Sequence, residues 1–157
     1  MIPQIKKLLY ATDLSKNFSF GFSCAVDIAK KYDAKIVVFH AIAPLPYMDE
    51  YVASAGISME DQLQRGIIGD IQKLLHEFCR KVETKIGPPC LSLISNILVC
   101  DGQPAKEILK AADEEECDAI ILGSYEKGLL RKVLGGSVSH EVLTQSRKPV
   151  VIIPLPL

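Results

Sequence analysis

The chain has 157 residues, of which 48% are hydrophobic, 18 basic and 19 acidic, for a formal net charge of −1. That length fits one domain spanning 1–157 with a proper core, and the hydrophobic fraction excludes a disordered chain. The near-neutral balance argues against a nucleic-acid binder held by bulk electrostatics. No apolar run approaches the roughly 18–20 residues of a membrane span. The segment Met1 to Lys7 lacks the apolar core and cleavage site of a signal peptide. A cytoplasmic protein without a membrane or nucleic-acid partner is expected.

In chain order, an apolar run from Ile5 to Ala11 predicts a first strand that ends at Thr12-Asp13-Leu14-Ser15. Ser15 or Asn17 is a fair N-cap for the next element. Phe18, Phe22, Ala25, Ala29 and Tyr32 then recur at helical spacing, and Asp33 closes that helix. Lys35 to Ala43 is continuous, apolar and rich in β-branched residues, as in a strand covered on both faces. Pro44, Pro46 and Gly56 mark a long connection, readable as a flap or a partner surface. Met59 to Ile86 predicts a long helix with a stripe through Leu63, Ile67, Ile71, Leu74, Phe78 and Val82. Gly87-Pro88-Pro89 stops it.

Leu91 to Cys100 predicts a third strand with a ragged start, and Asp101-Gly102-Gln103-Pro104 a turn into a helix with Pro in its first turn. That helix puts Ile108, Leu109 and Ala112 on one face and ends in the acidic trio Glu114-Glu115-Glu116, a solvated surface. Asp118 to Leu122 predicts a fourth strand, Val138 to Gln145 a fourth long helix, and Lys148 to Pro154 a fifth strand. The alternation of strands and helices implies an α/β domain with a parallel sheet and helices on both faces. Ligands in such sheets sit beyond the carboxyl ends of the strands, where the winding reverses. Thr12-Asp13, His40-Ala41, Gly102 and the loop from Gly123 are the candidates for that rim.

Several chemistries fail on their motifs. The turn after strand one has no glycine, so the dinucleotide fingerprint is missing. Gly123 to Gly128 has the spacing of a P-loop, but Leu129 and Leu130 stand where Lys and Ser/Thr are required. No G-x-S-x-G elbow occurs. Asp13 stands alone where a phosphoacceptor receiver needs two acidic residues. Cys24, Cys79, Cys90, Cys100 and Cys117 include no C-x-x-C pair, and His40, His76 and His140 do not cluster with them as zinc ligands. Reduced, mostly buried thiols are expected. A reactive thiol would need a neighbour that lowers its pKa.

Five stretches stand out together: Ala11-Thr12-Asp13-Leu14-Ser15, Phe39-His40-Ala41, Gly102-Gln103-Pro104-Ala105, Leu122-Gly123-Ser124 and Gly135-Gly136-Ser137-Val138-Ser139. On these the chain resembles the universal stress protein family over nearly its whole length. The family's nucleotide-binding members carry G-x-x-G, nine residues, then Gly and Ser/Thr. Here Gly123 opens the pattern, Gly136-Ser137 closes it, and Glu126 occupies the second glycine position. The resemblance implies a Rossmann-like sheet of the adenine nucleotide alpha hydrolase type, ordered 3-2-1-4-5. It also implies a homodimer through the strand at 149–154 and, in some members, a bound adenine nucleotide such as ATP. By similarity, Ala11, Thr12 and Asp13 would meet the ribose or adenine region and Ala41 would hold adenine by its backbone. Leu122 would line the ribose side. Gly123, Gly136, Ser137, Val138 and Ser139 would surround the phosphates. The usual Pro two residues before that Asp is Ala11 here.

Glu126 is the larger departure. Two unit charges about 4 Å apart repel by roughly 4 kcal/mol at an effective dielectric near 20. Glu126 can instead turn to solvent, leaving Lys127, Arg131 and Lys132 to supply positive charge, or hold Mg²⁺ against the phosphates. Simpler roles stand beside these. Asp13 can cap the first helix, His40 is read as a packed strand residue, and Ser137 and Ser139 can be plain N-caps. Three functions follow: a nucleotide-binding stress-response module without chemistry, a non-binding member that acts through dimerisation and protein partners, and, weakest, a slow ATPase.

Overall fold

The computed structural model describes residues 4–42, 58–86, 90–125 and 138–156. The connection at 43–57, the Gly87-Pro88-Pro89 stop and the loop 126–137 lie outside the described residues. Glu126, Lys127, Arg131, Lys132, Gly136 and Ser137 therefore lie outside them too. Strand β1 (Lys7–Ala11) leads to helix α1 (Phe18–Tyr32), strand β2 (Lys35–Ile42) and helix α2 (Ser58–Ile86). A 3₁₀ turn (Leu91–Leu93) enters strand β3 (Ile94–Asp101), which leads to helix α3 (Pro104–Glu114). Strand β4 (Ala119–Tyr125), helix α4 (Val138–Gln145) and strand β5 (Val150–Leu155) complete the chain. The five strands form one parallel sheet in the order β3-β2-β1-β4-β5. This is the expected Rossmann-like topology.

The sheet is buried on both faces because its strands are apolar at successive positions. Leu8, Tyr10, Ile36, Val38, Ile121 and Ile153 pack with α1 and α2. Leu9, Val37, Phe39, Ile120 and Leu122 pack with α3 and with Val142 of α4. Phe22 lies at the centre of the first layer, its ring 4.9 Å from Phe78, 5.6 Å from Phe18 and 5.7 Å from Tyr10. The Tyr10 hydroxyl donates to the Phe18 carbonyl at 3.2 Å, and burial raises its pKa well above the usual tyrosine value. Helix α1 ends at Asp33, whose left-handed φ of 53° lets Ala34 N–H reach the Ala29 carbonyl at 2.8 Å.

Three expectations change. Tyr32 continues the helical spacing of α1 but is 56% exposed, because the layer beneath it ends at Ala29. Strand β4 runs on to Tyr125, as β5 pairs with it as far as Leu155. The cysteines are not all reduced: Cys79 of α2 and Cys90 form a disulfide, with both residues buried in the first layer and their Cα atoms 5.4 Å apart. No sequence motif marks this pair, since the folding of α2 against β3 is what brings the two together. Cys24, Cys100 and Cys117 are free thiols. No helix among the described residues is long and apolar enough to cross a membrane.

Candidate functional site at the carboxyl ends of the strands

The register places the rim residues at one end of the sheet. Ala11 pairs with both Phe39 and Leu122 at the last level of β1, with Ala41 two residues further along β2. Thr12 N–H donates to the Phe39 carbonyl at 2.9 Å, the last rung between β1 and β2. Backbone groups alternate sides along a strand. Phe39 bonds toward β1, while the Ile42 carbonyl accepts from Gly102 N–H at 3.1 Å on the β3 side. The N–H and C=O of Ala41 therefore point toward β1, at a level where β1 has already turned away.

That turn is closely held. A further rung would send Ala41 N–H to the Thr12 carbonyl and Leu14 N–H to the Ala41 carbonyl. Instead, the Thr12 carbonyl accepts from His40 Nδ1 at 2.7 Å. Leu14 N–H donates to Thr12 Oγ1 at 3.0 Å. Leu14 takes a left-handed φ of 60°, a conformation that costs a non-glycine residue roughly 1–2 kcal/mol. The Asp13 Oδ1 oxygen accepts Ser15 N–H at 2.9 Å. Asp13 is thus a turn residue with its carboxylate at an exposed position, and it is not the cap of α1, whose N-cap is Asn17. Asn17 Nδ2 reaches the Pro156 carbonyl at 2.7 Å and ties the start of α1 to the end of β5.

The remaining predicted residues separate into two groups. The side chain of Leu122 is buried in the layer under α3 and α4, so only its backbone lies on the rim. Gly123 has a packing role: a Cβ on it would lie 2.6 Å from Leu155 Cδ1 and 2.9 Å from its Cγ. Gly123→Ala is expected to destabilise the fold by about 1–3 kcal/mol through overpacking. Measured in a double-mutant cycle by denaturant unfolding, Leu155→Ala should remove most of that penalty. Additive effects would show that Gly123 has another purpose. Val138 and Ser139 open α4, the first exposed and the second buried. A hydrogen bond of 3.3 Å from Gln103 Nε2 to Glu141 Oε2 links the start of α3 to α4.

Gly102 needs its own conformation. Its φ is +141°, and a Cβ would meet Glu107 Cγ at 2.8 Å. The thiols near the sheet are not activated. Burial pushes Cys117 up to about 11 and raises Cys100, with Glu107 adding to the latter. No group of three or more His, Cys, Asp or Glu side chains that could hold a metal ion occurs among the described residues. His40 is among the rim candidates, and its bond to the Thr12 carbonyl gives it a role beyond that of a packed strand residue. The signal for that role was its place on β2, one residue beyond the level where β1 ends.

A model of the universal stress protein family matches residues 4–154. The chain belongs to the universal stress protein family. It is 26% identical to a universal stress protein of Methanocaldococcus jannaschii over 94% of both chains. Its fold matches the crystal structure of a universal stress protein in complex with cAMP, with a TM-score of 0.61, 17% identity, and 98% of this chain and 99% of that one covered. It also matches the universal stress protein from Archaeoglobus fulgidus in complex with dAMP, with a TM-score of 0.55, 19% identity, and coverage of 97% and 99%. In this universal stress protein the sheet reverses its winding between β1 and β4, so the turn after β1 lies at that point and the end of β2 lies beside it.

Proposed function

We propose that this universal stress protein is a stress-response module that binds an adenine nucleotide at the rim beyond β1 without significant catalysis. The observation that carries the reading is the Ala41 backbone, whose donor and acceptor open side by side onto the space left by β1. An adenine edge offers the complementary acceptor and donor. The exposed Asp13 carboxylate, one oxygen of which is held by Ser15 N–H, suits the hydroxyls of a ribose. The described residues thus fit the nucleoside end of the ligand. Two solved structures of similar fold contain cAMP and dAMP, which supports the ligand class. ATP with Mg²⁺ is the fuller form of the proposal. Its phosphates would meet Gly136, Ser137, Val138 and Ser139, and Glu126 would set their affinity.

Calorimetric titration of the nucleotide-free protein with ATP and AMP, with and without Mg²⁺, tests this reading. Wild type is expected to bind, and Glu126→Gly should bind ATP more tightly when Mg²⁺ is absent. Binding heat only in the glycine variant would mean that Glu126 has closed the site. No binding in either would defeat the nucleotide reading and leave the reading of a member acting through dimerisation and protein partners. Product formation above background on long incubation would favour the slow ATPase.

The partner proposal rests on β5. This apolar strand lies at the sheet edge, and its Val151 is exposed. Such an edge invites pairing, and a symmetric dimer covers it. Sedimentation of the purified protein should show a dimer, and a monomer at all accessible concentrations would sink this part. A cytoplasmic location belongs to the same proposal. The Cys79–Cys90 disulfide opposes it unless the buried pair is protected from cellular reductants.

A further inference from the structure

We propose that His40 is a positioning residue of the nucleotide site, which it keeps open by diverting the β1–β2 ladder one rung early. The inference rests on the nucleotide reading above. A parallel ladder left to itself continues until one strand turns away, and each rung consumes a donor and an acceptor from both strands. Beyond the Thr12–Phe39 bond, the next two partners are both occupied by side chains. His40 Nδ1 takes the Thr12 carbonyl at 2.7 Å, and Thr12 Oγ1 takes the Leu14 amide at 3.0 Å. The outcome is that Ala41 keeps its N–H and C=O for another molecule. The left-handed Leu14 is the local cost of that arrangement, and such strain persists where surrounding contacts over-determine it.

The chemistry fixes the state of the ring. A carbonyl oxygen only accepts, so Nδ1 of His40 must carry the proton. In the neutral ring Nε2 is then bare, the opposite of the tautomer that free histidine prefers in water. Asparagine at position 40 sets an amide donor where Nδ1 lies, whereas glutamine sets it where Nε2 lies. The two variants therefore separate the hydrogen bond from mere bulk and polarity.

Three measurements test the proposal. Nitrogen-15 NMR of the wild-type ring at a pH where it is neutral should show the Nδ1–H tautomer, and the Nε2–H tautomer would overturn the proposal. Amide exchange at Leu14 should accelerate by roughly tenfold in His40→Gln and His40→Leu and stay near wild type in His40→Asn, on the scale of one hydrogen bond. AMP affinity measured calorimetrically should follow the same order, about tenfold weaker for Gln and Leu and restored by Asn. Equal behaviour of the Asn and Gln variants would overturn the role. If wild type does not bind AMP, the nucleotide reading fails and the positioning role falls with it. The tautomer and the exchange rates still decide whether His40 holds the turn.

Discussion

Phe22→Ala should lower the unfolding free energy by about 3–5 kcal/mol, the range for deleting a fully buried ring. Phe22 is 0% exposed and its ring meets those of Tyr10, Phe18 and Phe78. The cavity has little means of closing, because two of those neighbours sit on α1 and β1 and the third on α2. Denaturant unfolding gives the loss directly, and a change below about 1 kcal/mol would mean that the layer collapses into the gap. The effect should reach the rim. Tyr10 Oη holds the Phe18 carbonyl at the start of α1, six residues after the turn at Thr12, so loosening Phe22 should also speed amide exchange at Leu14 and Ser15.

Removing the disulfide by Cys79→Ala with Cys90→Ala should cost about 3 kcal/mol by the chain-entropy argument for a loop of this length. The two cysteines lie 11 residues apart in sequence. The bond ties the C-terminal part of α2 to the residue before the 3₁₀ turn that enters β3. Its presence can be counted. Alkylation of the denatured protein without reductant should modify three cysteines, Cys24, Cys100 and Cys117. Modification of all five would mean that the pair is a dithiol under those conditions. Because both sulfurs are buried, reductant should open the bond slowly in the folded protein and fast once it unfolds.

Much of this fold was legible because its local signals agree with its tertiary demands. The spacing from Phe18 to Tyr32 matches α1 to the residue, and Val138 to Gln145 matches α4. The apolar run of β2 was readable because both faces of a central parallel strand are covered. Boundaries drifted where pairing decides them. The ragged start of the third strand became a 3₁₀ turn at Leu91–Leu93 followed by a strand from Ile94, because β2 offers partners from Ile36 onward. For the candidate site, the family pattern marks Asp13, Ala41 and Gly123, and the structure adds what the pattern does not carry, a packing need for glycine at 123 against Leu155.

The sequence by itself determined the order of elements, the apolar faces and the stretches that reach the rim. Periodicity and turn chemistry are local properties, and one chain carries them in full. Only the tertiary structure decided that Cys79 meets Cys90, that Leu122 belongs to the core, and that His40 reaches across to Thr12. Those contacts depend on how separate parts of the chain pack, and the reach of His40 to Thr12 depends on strand register as well. A one-residue change in register would reverse every side chain between the two faces, and His40 would then meet a different layer.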